Sequence, residues 1–145
     1  MTRDELQASV ERYTATFHRH DPAALAAFHA PDGIVESPMY ATLKGRAAIE
    51  DAYRAFFTSF PDAATTNDVT IVDGSTVANF VTISGTHVNE FYGMPGTNRR
   101  MAFRMARLLE MDRGLIARER RVYDFTGVLV QVGVLKAKPT RPIDD

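Results

Sequence analysis

The stretch Met101–Met111, MAFRMARLLEM, decides the fold, because large apolar residues occupy all of its odd positions except Arg107. After a turn that contains glycine, Leu115–Asp124 continues the alternation and carries Glu119 and Arg121 at odd positions. Successive strand residues point to opposite faces of a sheet, so the odd residues of both segments share one face. That face is apolar yet carries three charges, which is more typical of a ligand cavity than of a plain core.

The remaining pattern predicts helices first and strands later. Apolar residues at three- and four-residue spacing predict helices over Arg3–His18 and Gly45–Phe60, and Asp21-Pro22 opens a short helix between them. A last helix is predicted over Phe125–Leu135, with Asp124 as its N-cap. The predicted strands are Ile34–Ser37, Thr65–Val72, Thr76–Val88, Met101–Met111 and Leu115–Asp124. This order indicates an α+β fold with three N-terminal helices on one face of a curved, mostly antiparallel sheet.

Composition limits the class of protein. We expect a single domain over residues 1–135, followed by a Pro-rich and poorly ordered tail over 136–145. The 17 Lys and Arg residues balance 18 Asp and Glu residues, which gives no reason to expect a nucleic-acid partner. The start of the chain is polar and no apolar run approaches the roughly 20 residues of a membrane span, so neither a signal peptide nor a membrane partner is expected. The chain contains no cysteine, which suits a cytoplasmic location.

Sequence motifs for metal and cofactor chemistry are absent. The four histidines form no HExxH pattern, and there is no G-x-G-x-x-G or Walker loop for a nucleotide. There is also no G-x-S-x-G elbow for a serine nucleophile. We therefore expect no metal site and no nucleotide cofactor.

Two motifs carry a resemblance to a known family. Gly85-Thr86-His87, followed by FYGMPGTNR over 91–99, is similar to a G-x-H…G-x-P-x-T-x-R loop, and 114–133 is similar to the closing strand and terminal helix of the same family. On these motifs the chain resembles the SnoaL-like polyketide cyclases of the nuclear transport factor 2-like superfamily. The resemblance implies a cone-shaped α+β barrel around a hydrophobic cavity, a homodimer formed through the sheet, and activity without a metal or an organic cofactor.

The resemblance also places the family's catalytic positions on this chain. The Asp of the family's aldol cyclases falls on Arg121, its neighbouring histidines fall on Glu119 and Arg107, and a Gln falls on Met105. The chain departs from the cyclase pattern at each of these positions, so the scaffold and cavity are implied but the cyclase reaction is not. Some relatives on this scaffold are implicated in hydroxylating aromatic polyketides instead.

The three charges on the apolar face are the candidate catalytic residues. A three-residue turn at 112–114 would set Arg107 opposite Glu119 and Met105 opposite Arg121. In one interpretation the first pair is a structural salt bridge. In the other, Glu119 is an acid/base group, and the two arginines bind an anion or polarise a carbonyl.

Further residues are candidates for binding the substrate. Phe103 and Met105 lie on the apolar face of their strand. His87 could donate a proton near neutral pH, or it could pack at a strand end. Glu36 and Ser37 lie where the family often places a polar pocket residue, and surface exposure is the alternative. The aromatic residues proposed for the cavity wall are Tyr13, Phe17 and Phe56.

Three functions fit this sequence. The first is a cofactor-independent enzyme, of cyclase or isomerase type, that uses acid/base chemistry in an enclosed pocket on a hydrophobic, aromatic or polyketide-like small molecule. The second is a hydroxylase-like relative that oxygenates an aromatic polyketide. The third is a module that binds such a molecule without turning it over, as the loss of the family's acid/base residues predicts.

Overall fold

A computed structural model describes residues 1–136, which form four helices and one six-stranded sheet. The helices are α1 (Arg3–His18), α2 (Pro22–Ala26), α3 (Arg46–Ser59) and α4 (Phe125–Gln131). The strands are β1 (His29–Ser37), β2 (Ala41–Lys44), β3 (Ala64–Asp73), β4 (Thr76–Thr86), β5 (Arg100–Asp112) and β6 (Leu115–Val122). The expected α+β architecture is confirmed.

Local sequence signals fix the starts of three helices. Thr2 Oγ1 accepts a hydrogen bond from the Glu5 backbone N–H, and the Glu5 carboxylate accepts one from the Thr2 N–H, which forms a capping box at the start of α1. Asp21 caps α2, and Asp124 caps α4, each by accepting a backbone N–H of the first turn. The predicted Asp124 cap is thus confirmed, although α4 is shorter than predicted.

The sheet and the helices enclose one core. The strand order is β2-β1-β6-β5-β4-β3, in which β1 and β6 run parallel and the other neighbouring strands run antiparallel. Leu6 and Tyr13 of α1 and Ile49 of α3 belong to one buried cluster with Val77 of β4 and Leu109 of β5. The face that carries the odd residues of β5 therefore looks toward the helices, and we call it the inner face.

The first two strands differ from the predicted ones. β1 begins at His29 rather than Ile34, and β2 was not predicted because Ala41–Lys44 is too short to show an alternation. The part of the predicted Pro-rich tail from 137 to 145 lies outside the described residues. None of the helices within residues 1–136 is long and apolar enough to cross a membrane.

The register of β5 and β6 also differs from the expected one. Arg107 pairs with Arg121, and Leu109 pairs with Glu119, so the predicted cross-strand partners of these charges are wrong. The turn has two residues rather than three, both with positive φ, as a type I′ hairpin requires. A β-bulge at Ala117 adds one further unpaired residue to β6. Together these features move the register by two positions, and an even shift keeps all three charges on the inner face.

Candidate active site

A cavity lies between the inner face of the sheet and helices α1 and α3. Its free volume is about 50 Å³, which is room for a few water molecules. Tyr40 and Leu43 are among the lining residues that are half-buried. Most of the wall is apolar, and its charged and phenolic part consists of Tyr13, Tyr53, Arg107, Arg121 and Tyr123, together with Tyr40.

Glu119 lies behind this polar wall and is fully buried. Its Oε1 accepts a hydrogen bond from the Tyr13 hydroxyl at 3.3 Å and makes a second contact, also at 3.3 Å, with His29 Nε2. Its Oε2 accepts a hydrogen bond from Arg121 Nε. The carboxylate is therefore held by partners from α1, β1 and β6, three elements that meet only in the folded chain.

The two tyrosines of the helices extend this network to the cavity. The hydroxyls of Tyr13 and Tyr53 hydrogen-bond to each other, and Arg121 Nη2 donates to the Tyr53 oxygen at 2.8 Å. Because Tyr13 directs its proton at Glu119, Tyr53 is the donor to Tyr13. The hydroxyl protons are thus ordered from Tyr53 through Tyr13 to Glu119, which connects the cavity wall to the buried carboxylate.

Burial and charge set the protonation states of this network. Burial alone would raise the pKa of Glu119, but Arg121 and the hydrogen bond to His29 outweigh it and hold that pKa well below its usual range. Burial, together with the Glu119 carboxylate, raises the pKa of Tyr13 well above its usual value. Burial also raises the pKa of Tyr53, although Arg121 opposes it. At neutral pH the site therefore combines an ionised carboxylate with two neutral hydroxyls.

Paired residues of four strands form a polar row across the inner face, which we call the inner row: Thr70, Asn79, Arg107 and Arg121. Asn79 is fully buried, and its Oδ1 accepts a hydrogen bond from Arg107 Nε at 2.9 Å. The Arg107 guanidinium lies over the Tyr13 ring, with Cζ 4.6 Å from the ring centre. Arg107 thus has a neutral hydrogen-bond partner, whereas Arg121 has the Glu119 carboxylate.

A second polar contact lies on another part of the wall. The hydroxyls of Ser37 and Tyr123 are 2.7 Å apart, and the Met39 backbone N–H donates to the Tyr123 oxygen at 3.1 Å. Burial raises the pKa of Tyr123, although its hydrogen bond with Ser37 opposes this. Tyr123 therefore presents a neutral hydroxyl to the cavity at neutral pH.

Most of the residues that the sequence predicts for the site meet at this cavity. Arg107 and Arg121 line it, and Glu119 lies directly behind them. The predicted substrate-binding residues that line the cavity are Tyr13, Phe17, Ser37, Phe56, Phe103 and Met105. Their proximity fits the predicted roles in catalysis and binding, which stay predictions.

Glu36 does not line the cavity, contrary to the prediction that placed it there with Ser37. Its carboxylate lies on the other face of the sheet, 2.6 Å from Arg118 and 3.5 Å from Arg120. Neighbouring strand residues face opposite sides, so Glu36 and Ser37 cannot both line the cavity. Ser37 takes the inward position.

His87 is also placed outside the cavity lining, contrary to its predicted role. It is fully buried, and its Nδ1 lies 3.0 Å from Thr97 Oγ1. Its ring packs against Phe60 and Phe91, with ring centres 5.9 and 6.0 Å away. These contacts match the alternative of a histidine that packs at a strand end.

Sequence reasoning missed several residues of the site, among them His29 and Asn79. His29 stands in the stretch HAPDG, whose proline and glycine give no strand signal, and nothing nearby in the sequence indicates its contact with Glu119. Asn79 does carry a signal. It stands between Val77 and Val81 at the inward positions of β4, where a buried amide needs hydrogen-bond partners.

Known proteins share this architecture. The family of SnoaL-like polyketide cyclases matches residues 7–132. The structure of TsrD from Streptomyces laurentii is 24% identical, with a TM-score of 0.82 over 93% of this chain and 99% of that chain. AclR from Streptomyces galilaeus, a candidate hydroxylase, is 21% identical, with a TM-score of 0.82 over 93% of this chain and 100% of that chain. At these identities the two structures show a shared fold.

One relative is more similar over a shorter segment. A steroid Δ-isomerase from Nocardioides simplex is 48% identical over 52 residues. These residues are 35% of this chain and 42% of that protein, so the match spans less than half of the isomerase.

Proposed function

This chain belongs to the SnoaL-like polyketide cyclase family, and we propose that it is a cofactor-independent enzyme of cyclase or isomerase type that acts on a hydrophobic carbonyl compound. The observation that carries the proposal is the chain of hydrogen bonds from Tyr53 through Tyr13 to Glu119, which links an apolar cavity to a buried carboxylate. Within residues 1–136, Glu119 is the only carboxylate that hydrogen-bonds to the cavity wall. The similarity to a steroid Δ-isomerase supports proton transfer at carbon.

Arg121 is the group proposed to hold the substrate oxygen. Arg121 Nη2 and the Tyr53 oxygen are 2.8 Å apart, so a carbonyl oxygen held by Arg121 brings the neighbouring carbon close to Tyr53. When a carbon next to the carbonyl loses its proton, the electron pair of the C–H bond moves toward that oxygen and forms an enolate. A guanidinium that already points at this place stabilises the new charge, because little water competes in an apolar cavity.

Glu119 is the proposed final acceptor of the proton. Tyr53 takes the proton from carbon as it passes its own to Tyr13, and Tyr13 passes its proton to Glu119. In the empty cavity Arg121 keeps the pKa of Glu119 low, so the carboxylate is a weak base. An enolate that draws the Arg121 guanidinium toward itself weakens this contact, and its negative charge raises the pKa of Glu119. Enolate formation and proton acceptance therefore favour each other.

The fate of the enolate distinguishes the two reaction types. Return of the proton to a different carbon is an isomerisation. Attack of the enolate carbon on a second carbonyl of the same molecule closes a ring, as in an aldol cyclisation. Both reactions use the same guanidinium to hold the oxygen and the same base.

The cavity limits the size of the substrate. A free volume of about 50 Å³ is far below the roughly 300–1,000 Å³ of pockets that hold drug-sized ligands. A polycyclic ligand therefore requires half-buried lining side chains, such as Tyr40 and Leu43, to move aside. Flat aromatic walls from Phe17, Phe56 and Phe103 favour a planar ring system once it is inside.

Deuterium exchange tests the proposal without knowledge of the natural substrate. Wild-type protein and 2-tetralone, a flat bicyclic ketone, are incubated in D₂O, and loss of the α-proton signal is followed by NMR. We expect wild-type protein to accelerate the exchange. Glu119→Gln keeps the size of the side chain but removes the base, so the enzyme-dependent rate should fall by roughly 10²- to 10⁴-fold.

Glu36→Gln is the matched control, because it makes the same chemical change on the other face of the sheet and leaves the cavity intact. Its exchange rate should equal that of wild-type protein. Binding of 2-tetralone without accelerated exchange would favour the non-catalytic binding module instead. A hydroxylase would consume oxygen and yield an oxygenated ring, which mass spectrometry detects.

A further inference from the structure

We propose that Arg107 is a binding site for a carboxylate, so that the molecule held in the cavity is a carboxylic acid. The identification of that molecule as the substrate rests on the proposed function, whereas the binding site itself does not. The site is distinct from Arg121, the group proposed to bind the carbonyl oxygen, because Arg107 has its own hydrogen-bond partner.

Arg107 is buried in the cavity wall with most of its hydrogen-bonding capacity unused. The side chain is 7% exposed and lines the cavity. Its Nε donates to Asn79 Oδ1. Within residues 1–136, the two terminal nitrogens of Arg107 have no hydrogen-bond acceptor, although a guanidinium can donate five hydrogen bonds.

The local charges are also unbalanced. The charge of Arg121 is matched by Glu119, whereas the partner of Arg107 is a neutral amide. The described residues of the site thus leave one positive charge without a counter-ion inside an apolar cavity. A buried cation of this kind is costly, and a ligand anion removes that cost. A carboxylate fits best, because its two oxygens match the planar fork of a guanidinium.

Asn79 fixes the position of the Arg107 guanidinium. Its Nδ2 donates to the Val69 carbonyl and to Thr70 Oγ1, each at 3.1 Å. These two contacts orient the amide, so its Oδ1 must face Arg107. The Tyr13 ring supports the flat side of the guanidinium. Asn79 is therefore a positioning residue, and the terminal nitrogens of Arg107 are left for a ligand.

Two probes of nearly equal shape test the proposal. 2-Naphthoate and 2-naphthamide share one ring system, but only the first carries a charge. Each is titrated into protein with ¹³C-labelled methionine methyl groups, and the Met105 signal reports binding because Met105 lines the same cavity. We expect wild-type protein to bind 2-naphthoate at least about tenfold more tightly, as one charge-assisted contact predicts. Any free-energy cost of moving Tyr40 and Leu43 is the same for both probes, so it cancels when their affinities are compared.

Variants assign the preference to one side chain. Arg107→Met should remove the preference for 2-naphthoate while 2-naphthamide binds as in wild-type protein. Arg104→Met is the matched control, because Arg104 lies on the same strand but is exposed, and it should keep the preference. Equal affinity of wild-type protein for both probes, or a preference that survives Arg107→Met, would overturn the carboxylate site. If Arg107→Met does not fold, Arg107→Lys, which keeps the charge but lacks the planar fork, should lower the preference in its place.

The outcome is separable from that of the proposed function. Accelerated deuterium exchange without a preference for 2-naphthoate would overturn only the carboxylate site. A preference for 2-naphthoate that depends on Arg107, without any exchange of 2-tetralone, would overturn only the proposed function.

Discussion

Two neighbouring rows of the same sheet invert the usual distribution of polar and apolar residues. The inner row faces the helices and is polar. The next row, on the opposite face, consists of Val69, Phe80, Ala106 and Val122, and we call it the outer row. Its members Val69, Phe80 and Val122 are 48%, 45% and 70% exposed, whereas Asn79 and Arg107 are 0% and 7% exposed.

This inverted distribution shows that stability alone does not determine which residues lie on each face of the sheet. Burying a charge is costly and exposing large apolar side chains gains nothing, so a sheet that served only the core would place the rows the other way round. The same contrast appears within β6. Arg121 is 13% exposed and bound to the buried Glu119, whereas Arg120 is 46% exposed and pairs with carboxylates at the surface. We propose that a ligand accounts for the inner row and that a second copy of the chain accounts for the outer row.

Removal of the carboxylate behind the inner row should have the largest effect. In Glu119→Ala, Arg121 loses its counter-ion while it stays paired with Arg107 across the strands. Loss of one partner of a buried ion pair costs roughly 3–5 kcal/mol. We therefore expect the free energy of unfolding, measured by urea denaturation at pH 7, to fall by about that amount.

A double variant separates charge from packing in this experiment. Glu119→Leu combined with Arg121→Met removes both charges and keeps the space filled, so it should recover most of the lost stability. Glu36→Gln makes a comparable change at the surface and should leave the unfolding transition unchanged. If Glu119→Ala lost no more stability than Glu36→Gln, the inner row would not depend on a buried ion pair.

The pH dependence of the unfolding free energy tests the contribution of the buried Glu119 carboxylate. Folding lowers the pKa of Glu119 because Arg121 and His29 outweigh the effect of burial, so its ionised form stabilises the fold fully above the unfolded value of about 4.3. This contribution is lost as the pH falls below that value toward the lower pKa of the folded state. The difference in unfolding free energy between wild-type protein and Glu119→Gln should be largest at pH 7 and 5 and should shrink at pH 4 and 3.

Taking the difference in unfolding free energy between wild-type protein and Glu119→Gln removes the contributions of other carboxylates. Hydrogen bonds from Arg118 and Thr86 also lower the pKa values of Glu36 and Asp62, but both residues are present in the two proteins that are compared. A difference that stayed constant from pH 7 to pH 3 would show that the Glu119 carboxylate does not stabilise the fold through its charge.

The sequence predicts correctly which residues lie on the inner face, because this depends only on whether a strand position is odd or even. Every second residue of a strand points the same way, so Arg107, Glu119 and Arg121 are assigned to one side without knowledge of their partners. The register depends on a two-residue turn and on a bulge at Ala117, and packing of the whole sheet decides both. For this reason the face is predicted correctly and the cross-strand pairs are not.

The partners of the charges are harder to predict, because they come from distant parts of the chain. His29 and Glu119 are separated by 90 positions, and Tyr13 and Tyr53 by 40. Tyr53 lies within the helix predicted over Gly45–Phe60, but its contact with Arg121 requires α3 to lie over β6. Asn79 is the exception, since a polar residue at an inward position of β4 is by itself a signal of a buried polar contact.

The smallest effect on the stability of the chain is expected at the outer row. A homodimer through the sheet stays a prediction, and the outer row is the surface proposed for it, because a second copy would cover side chains such as Phe80 that water now reaches. Phe80→Glu would place a charge in that interface. We expect it to shift the protein from dimer to monomer in size-exclusion chromatography with light scattering, while the unfolding free energy of the monomer changes by no more than about 0.5 kcal/mol. Glu11→Lys, an exposed charge change on α1, should leave the dimer intact. A wild-type monomer at all concentrations would leave the outer row without its partner, whereas a dimer that tolerates Phe80→Glu would place the interface elsewhere.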